Sequence, residues 1–193
     1  MRKKTILVSV AVLIISMILI TGCGKQEQTE QTGQKTEQSK ASAQNNTMQE
    51  KFIGSEAPEF ELETLTGEKV TLEQFEGKVV LLNFWATWCP PCKKEIPALD
   101  KMHSEHKSRG LEVVGVTLNS GTPEKIQQFV DNNDMNYHIL TGEQKYTMNL
   151  AKKYDNITGI PTTFVIDRDG VVRHKWVGPR SQEQFMKVIN KYL

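Results

Sequence analysis

The stretch from Lys78 to Leu99, KVVLLNFWATWCPPCKKEIPAL, constrains the fold more than any other part of the chain. After Lys78 at its start, the segment 78–85 is an apolar, β-branched and aromatic run that is broken only by Asn83, which predicts a strand buried on both faces. A buried parallel strand needs helices around it, which indicates an α/β domain. Spacings of three and four from Cys92 to Arg109 predict such a helix, with an inner stripe of Ile96, Leu99, Met102 and His106.

The sequence Cys89-Pro90-Pro91-Cys92 lies between this strand and this helix. A helix N-terminus carries unpaired N–H groups and the positive end of the dipole, so a thiol at Cys89 is shifted toward the nucleophilic thiolate. We therefore predict that Cys89 attacks disulfides and that Cys92, one turn further along, closes a disulfide with it. Pro90 and Pro91 fit the turn because their missing N–H groups precede the helical ladder.

Two separated motifs carry a resemblance to a known family. They are Phe84 to Cys92 (FWATWCPPC), with Pro97 five positions after the second cysteine, and Thr158 to Thr162 (TGIPT). Both resemble thioredoxin, and more closely the TlpA and ResA branch of membrane-tethered thiol-disulfide oxidoreductases. The resemblance covers about Phe52 to Leu193. It implies a thioredoxin-like three-layer fold with a central mixed sheet, an N-terminal β-hairpin and an inserted helical segment, and it places the family's helix kink at Pro97.

The resemblance also implies how substrates are held. Its second motif corresponds to the family's cis-proline loop, in which Pro161 packs against the disulfide and the Ile160 backbone pairs with an extended substrate. The simpler interpretation of Pro161 is a proline at the entry of a strand. Trp88, directly before Cys89, is predicted to shield the site and to offer an apolar docking surface, whereas Trp85 is predicted to lie in the core.

Asn83 departs from plain thioredoxin, which has a buried aspartate as proton acceptor at the corresponding place. The ResA-like branch instead has a glutamate three residues after the second cysteine, which is Glu95 in this chain. The resemblance therefore implies a catalytic proton transfer by Glu95. The alternative is a solvated glutamate in the first helical turn, favoured there by the helix dipole.

The remaining pattern predicts the other elements of the domain. The predicted elements are a β-hairpin within 52–75, a strand over 111–118 after a stop at Gly110, a helix from Thr122-Pro123, a short strand at 138–140, a helix over 143–154, a hairpin of 162–166 with 171–176, and a last helix after the capping box Ser181/Gln184.

The N-terminal residues indicate export. Three cationic residues at positions 2–4 precede an apolar run from Ile6 to Ile20, the arrangement of a signal peptide. The sequence Ile20-Thr21-Gly22-Cys23 resembles a bacterial lipobox, which makes residues 1–22 a lipoprotein signal peptide and Cys23 the lipidated N-terminus. The alternative is an uncleaved membrane anchor. Both predict a domain tethered to the cell membrane on its extracytoplasmic side.

Residues 24–51 are almost entirely polar, with Met48 as the only large apolar side chain. Such a segment buries too little surface to offset its chain entropy, so we predict a disordered tether over 23–51 and a folded domain over 52–193. As a random coil the tether has an end-to-end distance of roughly 30 Å. It either lets the domain reach membrane-bound partners or is a plain spacer.

The chain has three cysteines, and a lipidated Cys23 leaves Cys89 and Cys92 as the one intramolecular pair. Their loop is too short to constrain the unfolded chain much, which favours a redox role over a structural one. A zinc site that combines Cys92 with His103 and His106 is excluded, because eleven helical residues separate Cys92 from His103 by about 16 Å. We expect no metal and no bound cofactor. The net charge of +1 gives no indication of nucleic-acid binding.

We therefore predict a monomeric enzyme that reduces protein disulfides by dithiol exchange and is itself re-reduced by a membrane thiol donor. Apocytochrome c maturation, spore-envelope assembly and general repair of exported thiols stay open as roles. A peroxiredoxin is the alternative enzyme, because Gly54 to Phe60 (GSEAPEF) resembles that family's opening. Its required threonine three residues before the reactive cysteine is replaced by Ala86 or Cys89. A non-enzymatic lipoprotein that binds a peptide or a metal is the other alternative.

Overall fold

The computed structural model describes residues 52–193, so the predicted signal peptide, the lipidated Cys23 and the tether lie outside the described residues. The described part is built on one seven-stranded mixed sheet. Its strand order is β2-β1-β5-β4-β3-β6-β7. In chain order the strands are β1 Glu61–Thr64, β2 Lys69–Thr71, β3 Val79–Trp85, β4 Leu111–Thr117, β5 His138–Thr141, β6 Thr162–Ile166 and β7 Val172–Val177.

Four α-helices cover the two faces of this sheet. They are α1 Pro90–His106, α2 Pro123–Asn132, α3 Gln144–Lys153 and α4 Gln182–Ile189. The predicted three-layer α/β arrangement with a mixed sheet is confirmed, and α3 supplies the predicted helical segment between β5 and β6. No helix within residues 52–193 is long and apolar enough to span a bilayer.

Strand β3 occupies the centre of the sheet. It pairs in parallel with β4 and antiparallel with β6, and all seven of its residues are buried. Because side chains alternate along a strand, Val80, Leu82 and Phe84 face one core and pack with α3. Val79, Leu81 and Trp85 face the other core, which α1, α2 and α4 cover. Asn83 falls on this second side and is directed toward α1.

Helix α1 begins at Pro90, two residues before the predicted start, with Cys89 as its N-cap. The two prolines are therefore the first helical residues, where a missing N–H breaks no intrahelical bond. A 3₁₀ turn over Lys107–Arg109 follows, and Gly110 ends the segment with a φ of 95°. A stop at Gly110 was predicted, and glycine adopts this left-handed conformation without strain.

The inner stripe of α1 differs from the prediction at its C-terminal end. Ile96, Leu99 and Met102 are buried as predicted, but His103 is buried while His106 is half-buried. The helix ends at His106, whose backbone leaves the helical region with φ −120° and ψ 0°. The projection onto a straight helix is therefore wrong at this end, and His103 occupies the buried face in place of His106.

The N-terminal hairpin is shorter than predicted. Strands β1 and β2 pair around Thr66-Gly67, but residues Leu72–Phe75 form a 3₁₀ helix instead of extending the second strand. Leu72 and Phe75 are nevertheless buried, so the predicted apolar positions are correct although the predicted backbone is not. At the other end of the chain, the capping box of Ser181 with Gln184 is confirmed at the start of α4.

Candidate active site

Cys89 and Cys92 lie where β3 leads into α1, and they are joined by a disulfide. The backbone N–H of Cys92 donates a hydrogen bond to Cys89 Sγ at 3.2 Å, so the first sulfur accepts one of the unpaired donors of the helix N-terminus. That contact stabilises a thiolate at Cys89 once the disulfide is open. The two side chains are 2% and 1% exposed, so exposure alone does not distinguish the attacking sulfur from the resolving one.

The loop before β6 lies against the disulfide. The Ile160–Pro161 peptide bond is cis, and the carbonyl oxygen of Ile160 is 3.7 Å from Cys89 Sγ. Pro161 is buried and directly precedes β6, whereas Ile160 is half-buried. The Pro161 carbonyl accepts a hydrogen bond from the Gly178 N–H at 2.8 Å, and Thr162 Oγ1 donates to the Gly159 carbonyl at 2.6 Å. Pro161 therefore stands at the entry of a strand, as the simpler interpretation predicts, and directly follows the residue whose carbonyl lies against Cys89 Sγ.

Trp85 and Trp88 have opposite environments, as predicted. Trp85 is 1% exposed and packs against Phe129 with ring centroids 5.4 Å apart. Trp88 is 59% exposed, and its Nε1 donates to the carbonyl of Asn119 at 2.9 Å. This hydrogen bond holds the edge of the Trp88 indole on the loop after β4. A large apolar surface directly beside Cys89 therefore stays open to solvent.

Glu95 lies on the inner face of α1 and is 2% exposed, which contradicts the solvated alternative. Asn83 Nδ2 donates to Glu95 Oε1 at 2.7 Å, and the backbone N–H of Arg180 lies 3.3 Å from Oε2. Asn83 Nδ2 also lies 2.8 Å from Thr163 Oγ1 on the neighbouring strand, where the two residues are directly opposed. One amide thus connects the carboxylate to the central sheet.

Burial raises the pKa of Glu95 from 4.5 to about 7. Removal of water from the carboxylate is the largest cause, and it disfavours the charged form. The hydrogen bond from Asn83 opposes that rise, as do the backbone N–H and the positive charge of Arg180. A carboxyl group with this pKa exchanges protons readily near neutral pH.

Two lysines follow the second cysteine, and both are exposed. The Lys93 ammonium lies 5.3 Å from the ring centroid of Phe129, which places this charge over the aromatic face of α2. Cation–π contacts at exposed sites are weak, about 0.5–1 kcal/mol, so Lys93 stays largely hydrated.

Several contributors to the site were not predicted from the sequence. Asn83 was noted only as a residue that cannot titrate, whereas it is the hydrogen-bond donor that positions Glu95. Arg180 and Asn119 contribute backbone groups, which leave no signature in the side-chain pattern. Thr163 could have been predicted as a site residue from the sequence, because it directly follows the TGIPT motif. In the structure it pairs with Asn83 of β3.

Comparison with known proteins assigns the family. The model of the AhpC/TSA family matches residues 53–175. This chain belongs to the AhpC/TSA family. Among curated proteins it is 37% identical to the thioredoxin-like protein YneN of Bacillus subtilis, over 68% of this chain and 75% of that protein. It is 34% identical to the thiol-disulfide oxidoreductase ResA of Bacillus thuringiensis subsp. konkukian, over 75% and 82% of the two chains.

Solved structures agree with this assignment. The crystal structure of a thiol:disulfide interchange protein from Chlorobium tepidum TLS superposes with a TM-score of 0.65 at 32% identity, covering 72% of this chain and 96% of that one. The predicted thioredoxin-like fold and the predicted enzyme class are confirmed. The domain is a thiol-disulfide oxidoreductase of the ResA type with Cys89 and Cys92 as its cysteine pair.

Proposed function

We propose that this oxidoreductase is tethered to the outer face of the cytoplasmic membrane and reduces disulfides of exported proteins. The observation that carries the proposal is the Cys89–Cys92 disulfide at the N-terminus of α1, with Cys89 accepting the Cys92 N–H and touching the Ile160 carbonyl. The similarity to thiol-disulfide oxidoreductases supports a protein disulfide as the substrate. Apocytochrome c is one such substrate that the family resemblance suggests.

The proposed cycle begins with the reduced dithiol. The Cys89 thiolate attacks one sulfur of the substrate disulfide, which breaks that bond and forms a mixed disulfide while the second substrate sulfur leaves as a thiolate. The Cys92 sulfur then attacks Cys89, which releases the first substrate sulfur. The substrate gains two electrons, and the enzyme ends as the Cys89–Cys92 disulfide.

Glu95 is proposed to move the protons of this cycle. It follows Cys92 by three residues on the same helix, and both side chains are buried on its inner face. Its carboxylate form accepts the proton of the Cys92 thiol, which makes Cys92 a nucleophile. With its pKa near 7, Glu95 then returns the proton to a departing substrate thiolate.

Substrate binding is assigned to the surface around the disulfide. The exposed face of Trp88 offers an apolar contact beside Cys89. The Ile160 carbonyl lies against the same sulfur, next to the cis Pro161. We propose that Pro161 packs against the disulfide and that the backbone of Ile160 pairs with an extended segment of the substrate. This arrangement needs no bound cofactor and works as a monomer.

The proposed direction of electron flow follows from the turn between the cysteines. Strong oxidants stabilise the thiolate with additional donors or a positive neighbour, which makes their reduced form the favoured one. Pro90 and Pro91 have no N–H to donate, and the Cys92 N–H is the donor that reaches Cys89 Sγ. A less stabilised thiolate means a more stable disulfide and hence a reducing potential. Such an enzyme requires a membrane thiol donor that reduces it again.

A redox titration of the disulfide tests the direction. The midpoint potential is expected near that of thioredoxin, about −270 mV, and far from that of DsbA, about −120 mV. The separation of about 150 mV corresponds to roughly 7 kcal/mol, so the two outcomes are clearly resolved. A midpoint near that of DsbA would show that Lys93 and Lys94 outweigh the missing donors, and it would overturn the reductant assignment.

The proposed tether is tested separately in cells. Cys23→Ala removes the acceptor of the lipid, so labelling with a radioactive fatty acid is expected to disappear. Cys89→Ala is the matched control, because it keeps Cys23 and should still be labelled. Labelling that persists in Cys23→Ala would contradict lipidation at this cysteine without affecting the redox assignment.

A further inference from the structure

Another group of titratable side chains lies away from the disulfide, at the end of the sheet where β5 begins. It consists of His103 near the C-terminal end of α1, Glu112 at the second position of β4 and His138 at the first position of β5. His103 is eleven residues from Cys92, about 16 Å along the helix. The cluster is therefore independent of the cysteines and of the catalytic cycle proposed above.

The sheet register brings two of the three side chains together. His138 pairs with Val114, so His138 and Glu112 are diagonal neighbours on the same face of two parallel strands. His138 Nε2 lies 3.1 Å from Glu112 Oε2, and the His138 ring makes an edge-on contact with Phe75, with ring centroids 5.3 Å apart. His103 approaches from α1, with its ring centroid 5.7 Å from that of His138.

His103 is the unusual member of the cluster. It is 5% exposed, and its Nδ1 is one of the buried polar atoms within residues 52–193 that have no hydrogen-bond partner. Glu112 Oε2 is 4.0 Å from that nitrogen, which is too long for a hydrogen bond. Leaving a buried ring nitrogen unsatisfied costs about 1–3 kcal/mol, and a ligand bound to this nitrogen would offset that cost.

We propose that His103, Glu112 and His138 form a binding site for a divalent transition metal ion, with Zn²⁺ as its occupant. Their ligand atoms all lie within 4.8 Å of one another. Two imidazoles and one carboxylate are a donor set that proteins use for zinc, with a fourth position left for water. This site differs from the zinc site excluded from the sequence, because it uses none of the cysteines.

The observed spacing suits such an ion after a small adjustment. With bonds of about 2.0–2.1 Å, neighbouring ligand atoms of a tetrahedral zinc ion lie about 3.3 Å apart. The distance from His138 Nε2 to Glu112 Oε2 is 3.1 Å, already close to this value. The ligand nitrogen of His103 has to move toward these two atoms by less than 2 Å. The His138 side chain is 35% exposed, so the ion and its water have an entry path from solvent.

Binding would connect the C-terminal half of α1 to β4 and β5. A metal that binds the folded chain and not the unfolded one stabilises the fold, and above its Kd the stabilisation grows with the logarithm of the metal concentration. The expected consequence is a Zn²⁺-dependent rise in the thermal unfolding midpoint. Because the ligands are remote from Cys89, the rate of thiol-disulfide exchange should stay the same when the metal binds.

Cobalt titration of the full chain tests this site. The protein is purified without an affinity tag and kept in the Cys89–Cys92 disulfide form, and any Cys23 that carries no lipid is alkylated, so that no thiolate competes for the metal. We expect one equivalent of Co²⁺ to bind and to show the visible absorption bands of four-coordinate Co²⁺. Addition of Zn²⁺ should displace the cobalt and remove these bands. Glu112→Gln and His138→Ala should each weaken Co²⁺ binding at least about tenfold.

His106→Ala is the matched control, because it removes another histidine of α1 that lies outside the cluster. Its Co²⁺ affinity and stoichiometry should equal those of the wild type. Glu112→Gln keeps the size of the side chain and an oxygen toward His138, so it decides the question if His138→Ala does not fold. Absence of stoichiometric binding to the wild type, or unchanged binding in Glu112→Gln, would overturn the proposal.

Discussion

Asn83 Nδ2 donates a hydrogen bond of 2.7 Å to Glu95 Oε1, and both side chains are buried between β3 and α1. The contact joins a residue of the central strand, which cannot titrate, to the acidic residue closest in sequence to Cys92. It favours the charged form of Glu95 and thereby limits the rise in pKa that burial causes. Asn83 is therefore a positioning residue that tunes the proposed proton carrier without touching substrate.

Asn83→Leu should raise the pKa of Glu95 further, because leucine keeps the volume of the side chain but donates no hydrogen bond. A hydrogen bond to a charged group is worth about 1.5–3 kcal/mol, which corresponds to roughly 1–2 pH units. The inflection in the pH dependence of disulfide exchange should move upward by that amount. Thr163→Val is the control, since it removes only the other partner of Asn83 and should leave the inflection nearly in place. An unmoved inflection in Asn83→Leu would contradict the coupling.

Glu95→Gln tests the proton-transfer role directly. The wild type should show an inflection near pH 7 in the rate of exchange, and the variant should lose it because glutamine does not titrate. Stopped-flow measurement of exchange with a peptide disulfide, from pH 5 to pH 9, resolves the two profiles. Glu105→Gln, at an exposed position of the same helix, should retain the wild-type profile. Identical profiles for wild type and Glu95→Gln would leave Glu95 with a structural role only.

The stability of the disulfide form should also depend on Glu95. Its pKa is about 7 in the folded protein and near 4.5 in the unfolded chain, so the folded state binds more protons between these values. The free energy of unfolding should therefore fall as pH rises from about 4.5 to 7, by on the order of 3 kcal/mol, and then level off. Urea denaturation of wild type and Glu95→Gln at pH 4 and pH 8 isolates this contribution. The other titratable groups are the same in both proteins, so their effects cancel in the difference between the two free energies of unfolding. A constant difference between the two proteins would contradict the raised pKa.

Trp88→Ala should weaken exchange with proteins more than exchange with small disulfides. The exposed indole beside Cys89 offers contact area that a protein substrate covers and a small disulfide does not. Loss of a tryptophan at such a contact lowers kcat/KM on the order of tenfold or more for a protein substrate. Met148→Ala removes an exposed apolar side chain on α3 and serves as the control, with no change expected. Equal losses for both substrate classes would mean that Trp88 acts on the cysteines and not on docking.

The sequence predicted the core of the fold because local pattern and burial agree there. The apolar run of β3, the cysteine pair and the spacing of α1 are contiguous, and each supports the same strand-turn-helix unit. The TGIPT motif could be placed beside the cysteines only through family resemblance, since about seventy residues separate the two. The observed contact between Cys89 and Ile160 agrees with that placement.

The parts that were missed depend on contacts between distant segments. Neither the burial of Glu95 nor its hydrogen bond from Asn83 follows from helical periodicity, because a glutamate in the first helical turn is equally compatible with exposure to solvent. The group of His103, Glu112 and His138 requires the register of β4 with β5 and the end of α1. No one-dimensional pattern contains that information, and the projected stripe selected His106 where the packing selects His103.

The division of labour between the sulfurs gives the last prediction. Cys89 is the N-cap of α1 and accepts the Cys92 N–H, so its thiolate is the stabilised one and should attack first. Cys92→Ala should then accumulate mixed disulfides with substrate, because no second sulfur remains to release it, whereas Cys89→Ala should accumulate none. Acid quenching followed by non-reducing electrophoresis measures the trapped species. Both variants lose the same disulfide, so each controls for the stability change in the other. Trapping by Cys89→Ala alone would reverse the assignment and would make Cys92 the attacking residue.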